Sequence, residues 1–218
     1  MKASLDTNVI IHLYRAGLQN VLFEVFRDGV FIYEQIRDIE LENHGKDILA
    51  IVDADIAVGK IEVYTNERLK KESVDKVFLN NVKENRLLYG QGDMGEVYAI
   101  SLAQTIGMYT LVTDDTKRGG PYMSLLQLEY DVMPLNFTDV LLLRYLLGGA
   151  DEKQTITDFD TVNACSDLCW SLRSKVMLFV KRFFIDPYKE EDKEWMEQVA
   201  KEYGINVRKK IKALAELL

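Results

Sequence analysis

The sequence predicts an α/β fold: a parallel sheet flanked by helices over residues 1–149, then an all-helical C-terminal extension over 150–218. Three observations predict it. Short β-branched or aromatic runs alternate with amphipathic stretches up to residue 149, the order of a parallel sheet covered by helices. From residue 155 onward only helical periods remain. The chain has only three prolines, Pro121, Pro134 and Pro187, too few for long flexible linkers.

The elements follow in order. "KASL" is a short strand. "TNVIIHLYRAG" and "QNVLFEVFRDG" space apolar residues three and four apart and end in glycine, so each reads as a helix. "VFIY" is a strand. "EQIRDIELENHG" reads as a helix with Ile36, Ile39 and Leu41 inward, followed by the helix "KDILAIVDADIAVG" and the strand "KIEVY". The long stretch 66–90 reads as helical, charged and amphipathic. "GDMGEVYAISLAQTIG" places Asp93 as N-cap with Glu96 three residues on, the spacing of a capping box, and closes at Gly107. "YTLVT" is a strand, "KRGGPYMSLLQLEY" a loop and helix, "DVMP" a strand and "FTDVLLLRYLLGG" a helix.

Composition narrows the function. With 218 residues, 48% hydrophobic and 28% charged, a sizeable core is affordable to the chain. The formal net charge of −8 argues against a general nucleic-acid coating protein, so any nucleic-acid contact is local. Cys165 and Cys169, four apart, would share a helix face as small apolar residues. Two cysteines, distant from His12 and His44, cannot complete a structural zinc site. No apolar run reaches the length of a membrane span or a secretion signal, so the expected compartment is the cytoplasm and no membrane partner is expected.

The acids are unevenly spread: residues 1–59 carry ten against five bases, and 93–150 carry seven against three. In a parallel sheet, sites lie beyond the carboxyl ends of the strands. Asp6 follows the first strand and Asp114 and Asp115 follow "YTLVT"; Asp93 and Glu96 open a helix; Glu34, Asp38 and Glu40 follow "VFIY". Converging carboxylates repel unless a cation joins them, and hard oxygen ligands suit Mg²⁺ or Mn²⁺. Thr7, Asn8 and Thr113 can hydrogen-bond to such a cluster or orient water. Each piece alone has a plainer reading: Asp6 as an N-cap, Asp93 with Glu96 as a capping pair, "TDDTKRGG" as a turn. The joint placement of three acidic sites favours chemistry.

"LDTNVIIHL", "GDMGEVYAISLA" and "LVTDDTKRGG", in this order, resemble the PIN domain over residues 1–145, a family of VapC-type toxins and RNA-processing nucleases. The resemblance implies a metal-dependent ribonuclease with a four- or five-stranded parallel sheet. It matches the first acid to Asp6, the middle acids to Asp93 and Glu96, and the last to Asp114 or Asp115. The family's glutamate in the helix after the second strand falls on Ile39 here. Asp38 and Glu40 are its neighbours, and Glu40 is favoured because it lies four residues from Ile36.

The activity so implied is endonucleolytic cleavage of single-stranded RNA, with Lys117 and Arg118, beside Gly119 and Gly120, receiving a phosphate backbone. "KRGG" as a surface loop is the alternative. The toxin branch implies an antitoxin protein as partner, and the family implies homodimers. A PIN-like binding or assembly module without catalysis is the rival reading. An aspartyl phosphotransferase is a third, which the lack of a second Asp two residues after Asp6 disfavours. In the extension, Trp170, Leu172, Val176, Phe179, Val180 and Phe183 are too apolar for a solvated arm, and Arg173, Lys175, Lys181 and Arg182 surround them.

Overall fold

Five short strands pair in parallel, in the order β3-β2-β1-β4-β5, in a computed structural model that describes residues 1–89, 94–116, 121–127 and 131–218. The strands are β1 (Lys2–Leu5), β2 (Gly29–Tyr33), β3 (Glu62–Tyr64), β4 (Thr110–Val112) and β5 (Met133–Leu135). They belong to the first of two compact units, Met1–Phe137 and Thr138–Leu218. The helices of the first unit are α1 (Thr7–Arg15), α2 (Asn20–Val25), α3 (Glu42–His44), α4 (Leu49–Ala57), α5 (Asn66–Lys71), α6 (Asp75–Tyr89), α7 (Met94–Thr105) and α8 (Pro121–Gln127). A π-helical segment, Ile36–Leu41, precedes α3.

The chain builds outward from β1 through β2 to β3, then returns to the other side of β1 with β4. That reversal makes the β1/β4 boundary a topological switch point. α7 packs on β1, β2 and β4. The Ser4 hydroxyl donates to the Ala99 carbonyl at 2.9 Å, tying the middle of β1 to α7. Ala3 and Leu5, on the opposite face of the strand, are fully buried in the core.

Residues 138–218 contain no strand among the described residues. Phe137–Leu146 forms α9, which leads into α10 (Glu152–Cys165), α11 (Leu172–Val180), a second π-helical segment Lys181–Ile185, α12 (Glu190–Glu202) and α13 (Val207–Ala215). Leu172, Val176, Phe179 and Phe183 are buried, and Phe183 stacks between Phe179 and Trp195 at 4.7 and 5.9 Å. Among the described residues no helix is long and apolar enough to cross a membrane.

Three local expectations are corrected. Ile39 is 47% exposed, not inward. The segment winds as a π-helix, so the inward pair is Ile36 and Leu41, five apart, both fully buried. The expected helical stretch divides into α5 and α6: Ser73 turns left-handed at φ 61°, and the Val74 N–H closes α5 by donating to the Leu69 carbonyl. Cys165 and Cys169 do not share a helix, because α10 ends at Cys165 and Cys169 has φ 50°; both are exposed free thiols. Arg182 does not reach for solvent. It is buried, donating from Nε to Asp192 at 2.7 Å.

Gly29 opens β2 at φ 135°, and a methyl group there would lie 2.6 Å from the Phe31 ring. Gly29→Ala therefore combines backbone strain with a clash. A loss of about 2–3 kcal/mol is expected in urea denaturation. Gly59→Ala, at φ 77° with open space around it, should cost about 1 kcal/mol.

Tyr33 is packed against Phe78 and Tyr98 at 4.6 and 5.0 Å. Burial, with the Glu34 charge and Tyr98 adding, pushes its hydroxyl up to about 12. The fold thus favours the neutral phenol. This stabilisation is complete below pH 10 and is lost as pH rises through about 12. Thermal melts between pH 10 and 12 should fall less steeply in Tyr33→Phe than in the wild type.

Candidate functional site

Asp6 is the first residue beyond β1, and Thr113 and Asp114 are the first two beyond β4. The pairing of those strands therefore brings them to one edge, at the switch point. The Asp6 N–H continues the ladder by donating to the Val112 carbonyl at 2.9 Å. Asp6 is 1% exposed and Asp114 4%.

Hydrogen bonds fix both carboxylates. Asp6 caps α1, its Oδ1 accepting from the Thr7 N–H at 2.7 Å. Asp6 Oδ2 accepts from the Thr113 hydroxyl at 3.0 Å, and that hydroxyl accepts from the Asp115 N–H at 3.2 Å. Asp114 Oδ1 accepts from the Phe137 N–H at 2.8 Å. Asp114 Oδ2 accepts from His12 Nδ1 at 2.7 Å. A carboxylate only accepts, so the His12 proton sits on Nδ1.

Glu96, 4% exposed, lies in the first turn of α7. Ser4 and Asp6 point to the same face of β1, and Ser4 binds Ala99. Asp6 stands about 7 Å beyond Ser4 along the strand. Glu96 stands about 4.5 Å from Ala99 along the helix, in the same direction because α7 runs antiparallel to the β4 it precedes. Asp6 and Glu96 thus reach the same edge on the same face.

The remaining expected residues are placed less centrally. Asp115 and Asn8 are half-buried. Thr7 contributes through its backbone; its buried hydroxyl has no hydrogen-bond partner among the described residues. Glu40 has a largely buried side chain, 4.0 Å from exposed His44. Burial raises the Tyr98 hydroxyl on α7, and the Glu40 charge adds to it against Arg86 and Gln35. Asp38 is exposed and lies 3.3 Å from Arg37, whose guanidinium is raised by its bidentate hydrogen bonds to Asp53. Asp93, Lys117 and Arg118 lie outside the described residues.

Sequence reasoning missed His12 and the Phe137 N–H. Asp114 and His12 are 102 residues apart, and nothing local to either marks the contact.

The donor chemistry is hard oxygen: two buried aspartates, Glu96 and the buried Thr7 hydroxyl. That set fits Mg²⁺ or Mn²⁺ rather than zinc. Among the described residues no three of His, Cys, Asp and Glu are grouped around one position. Mg²⁺ does not require such a group, since it keeps several waters and takes one or two carboxylates together with substrate phosphates.

No protein family matches the chain, and no curated protein or solved structure matches it.

Asp114→Ala would leave the Phe137 N–H without its acceptor in the interior. A loss of about 2 kcal/mol is expected in denaturant unfolding. Asp114→Asn keeps an oxygen for that N–H, and His12 can accept from the new amide by changing tautomer. It should cost less than about 1 kcal/mol. Equal losses in the two variants would contradict the hydrogen-bond account.

Proposed function

We propose that this chain is a divalent-metal-dependent endoribonuclease of PIN-like fold that cleaves single-stranded RNA, toxin-like or RNA-processing, with a C-terminal helical extension. The observation that carries the reading is the pair of buried carboxylates, Asp6 and Asp114, at the β1/β4 switch point. The parallel strand order and the expected acids at strand tips support it further.

Asp6 and Asp114 would supply the one or two carboxylates that Mg²⁺ or Mn²⁺ takes, with Glu96 and Asp93 as the further matching acids of the PIN motif. A bound divalent ion polarises the scissile phosphate and lowers the pKa of a coordinated water. The chain's own residues set the geometry. Thr113 and the Thr7 N–H fix the Asp6 carboxylate, and His12 and the Phe137 N–H fix that of Asp114. Carboxylates held in this way are preorganised and need little rearrangement when a cation arrives. Asp115 and Glu40, less buried, would orient water. Lys117 and Arg118 would meet the phosphate backbone. An antitoxin partner and homodimers belong to the toxin form of this reading.

One observation favours a non-catalytic PIN-like binding module instead. The oxygens of Asp6 and Asp114 already accept hydrogen bonds from the protein, as purely structural aspartates would.

Asp6→Asn separates the two. Asparagine keeps an oxygen for the Thr7 N–H, and the Thr113 hydroxyl can turn to accept from its amide, so the fold should persist. The nuclease reading predicts at least a hundredfold loss of Mn²⁺-dependent cleavage of a labelled single-stranded RNA, about 3 kcal/mol of barrier. Wild-type protein that leaves this RNA intact with Mg²⁺ and with Mn²⁺ would support the binding module.

A further inference from the structure

We infer that α13 carries a binding face for single-stranded RNA, with phosphates on Arg208, Lys209 and Lys212 and an unstacked base against Tyr203. The choice of RNA rests on the proposed function; the polyanion-binding face does not.

The nine residues of α13 include Arg208, Lys209, Lys210 and Lys212 and no acid. In a chain of net charge −8 this is a concentrated local reversal of sign. Arg208, Lys209 and Lys212 fall within about 100° of the helix circumference, so they share one face. All three are exposed. Among the described residues Arg208 and Lys209 form no ion pair, and Lys212 has only an exposed pairing with Glu216 at 3.9 Å. Three other bases of this unit are answered: Arg144 by Asp158 at 2.7 Å, Arg182 by Asp192 at 2.7 Å and Lys193 by Glu190 at 3.0 Å. Lys210 is also occupied, donating to the Tyr145 carbonyl at 2.7 Å over the Tyr145 ring.

The placement works against the helix. Arg208 and Lys209 are in the first turn, where the backbone N–H groups and the macrodipole are already positive. Asn206 satisfies one of those groups, accepting from the Lys209 N–H at 3.0 Å, but adds no charge. The result is a face that attracts anions through both side chains and backbone.

Two features select a single strand over a bilayer. The apolar side of α13 is used internally: Leu214 is fully buried, and the Tyr145 hydroxyl donates to the Lys210 carbonyl at 2.7 Å. Val207, Ile211 and Ala213 are half-buried, so little of that side is left to lie in a lipid interface. Tyr203, 47% exposed, lines a hollow of about 390 Å³ together with Asn206, Lys209, Lys210 and one acid, Glu152, which lies against Lys210. An aromatic ring beside a basic face is how unpaired strands are held, by stacking as well as charge.

The test is fluorescence anisotropy of a short labelled oligouridylate with the full chain, in EDTA so that no cleavage occurs, across a range of salt. The variant Arg208→Glu/Lys209→Glu/Lys212→Glu should bind at least about tenfold more weakly at 0.1 M salt. Its log–log salt slope should be shallower by about two. Glutamate suits the first turn of a helix, while Lys212→Glu in the last turn faces Glu216, so the two effects oppose each other and the variant should melt close to the wild type. Tyr203→Ala should weaken binding at least about fivefold with the slope unchanged. Unchanged affinity and slope in the triple variant overturn the inference. So does a wild type that does not bind the oligonucleotide, or one that binds phosphatidylserine vesicles through α13 as well as it binds RNA. Unchanged affinity in Tyr203→Ala overturns the stacking contact. None of these results depends on cleavage: α13-dependent binding by a chain that cuts no RNA would defeat the nuclease reading alone.

Discussion

The hydrogen bond from the Thr113 hydroxyl to Asp6, at 3.0 Å, spans the switch point of the sheet and joins the two strand tips on which the candidate site depends. It is possible only because β1 and β4 pair in register, with Leu5 opposite Val112. One residue of slip would turn Asp6 or Thr113 to the other face. The same residue passes the constraint to the next strand, since the Thr113 N–H donates to the Leu135 carbonyl of β5, and its hydroxyl receives the Asp115 N–H. Two buried carboxylates are costly to hold in an interior without such bonds. Here backbone N–H groups, a hydroxyl and an imidazole hold Asp6 and Asp114 in place.

Much of the first unit was legible because its signals are local. The strands are β-branched and aromatic runs, and Asp6 and Asp114 stand directly after two of them, so their place at the sheet edge follows from the strand ends alone. The failures have physical causes. Ile39 was placed inward on an α-helical period, but the backbone winds with five residues between inward positions. Ser73 takes a left-handed conformation that glycine usually marks, so the break between α5 and α6 left no sign. His12 meets Asp114 only through the closure of the whole fold, and a lone histidine on a helix carries no indication of its partner. Glu40 and Asp38, adjacent in sequence, are distinguished by the winding of their segment: one is largely buried, the other exposed on the surface beside Arg37.

The helical unit shows the same division between local and non-local signals. Its apolar periodicity was readable: of the expected residues Leu172, Val176, Phe179 and Phe183 are in its core, while Trp170 and Val180 are half-buried. The fate of its bases was not. Arg182 appears in a basic run, yet it is buried against Asp192, ten residues on, and contributes nothing to a surface field. Arg208 and Lys209, unremarkable in a segment of balanced charge, become a concentrated face because they share one side of α13 with Lys212 and no acid accompanies them in its first turn. Net charge by segment describes solubility and long-range fields; which charges remain available depends on packing.

The central claim is that the Asp6–Asp114 edge is a preorganised seat for an oxygen-preferring divalent cation. Calorimetric titration of Mn²⁺ into protein stripped by chelator tests it without reference to any substrate. The account predicts saturable binding that is lost or weakened at least tenfold in Asp6→Asn, while that variant keeps the wild-type circular dichroism spectrum. Titrations of the wild type and of Asp6→Asn that coincide, or a wild type that shows no Mn²⁺ binding at millimolar concentration, would contradict it.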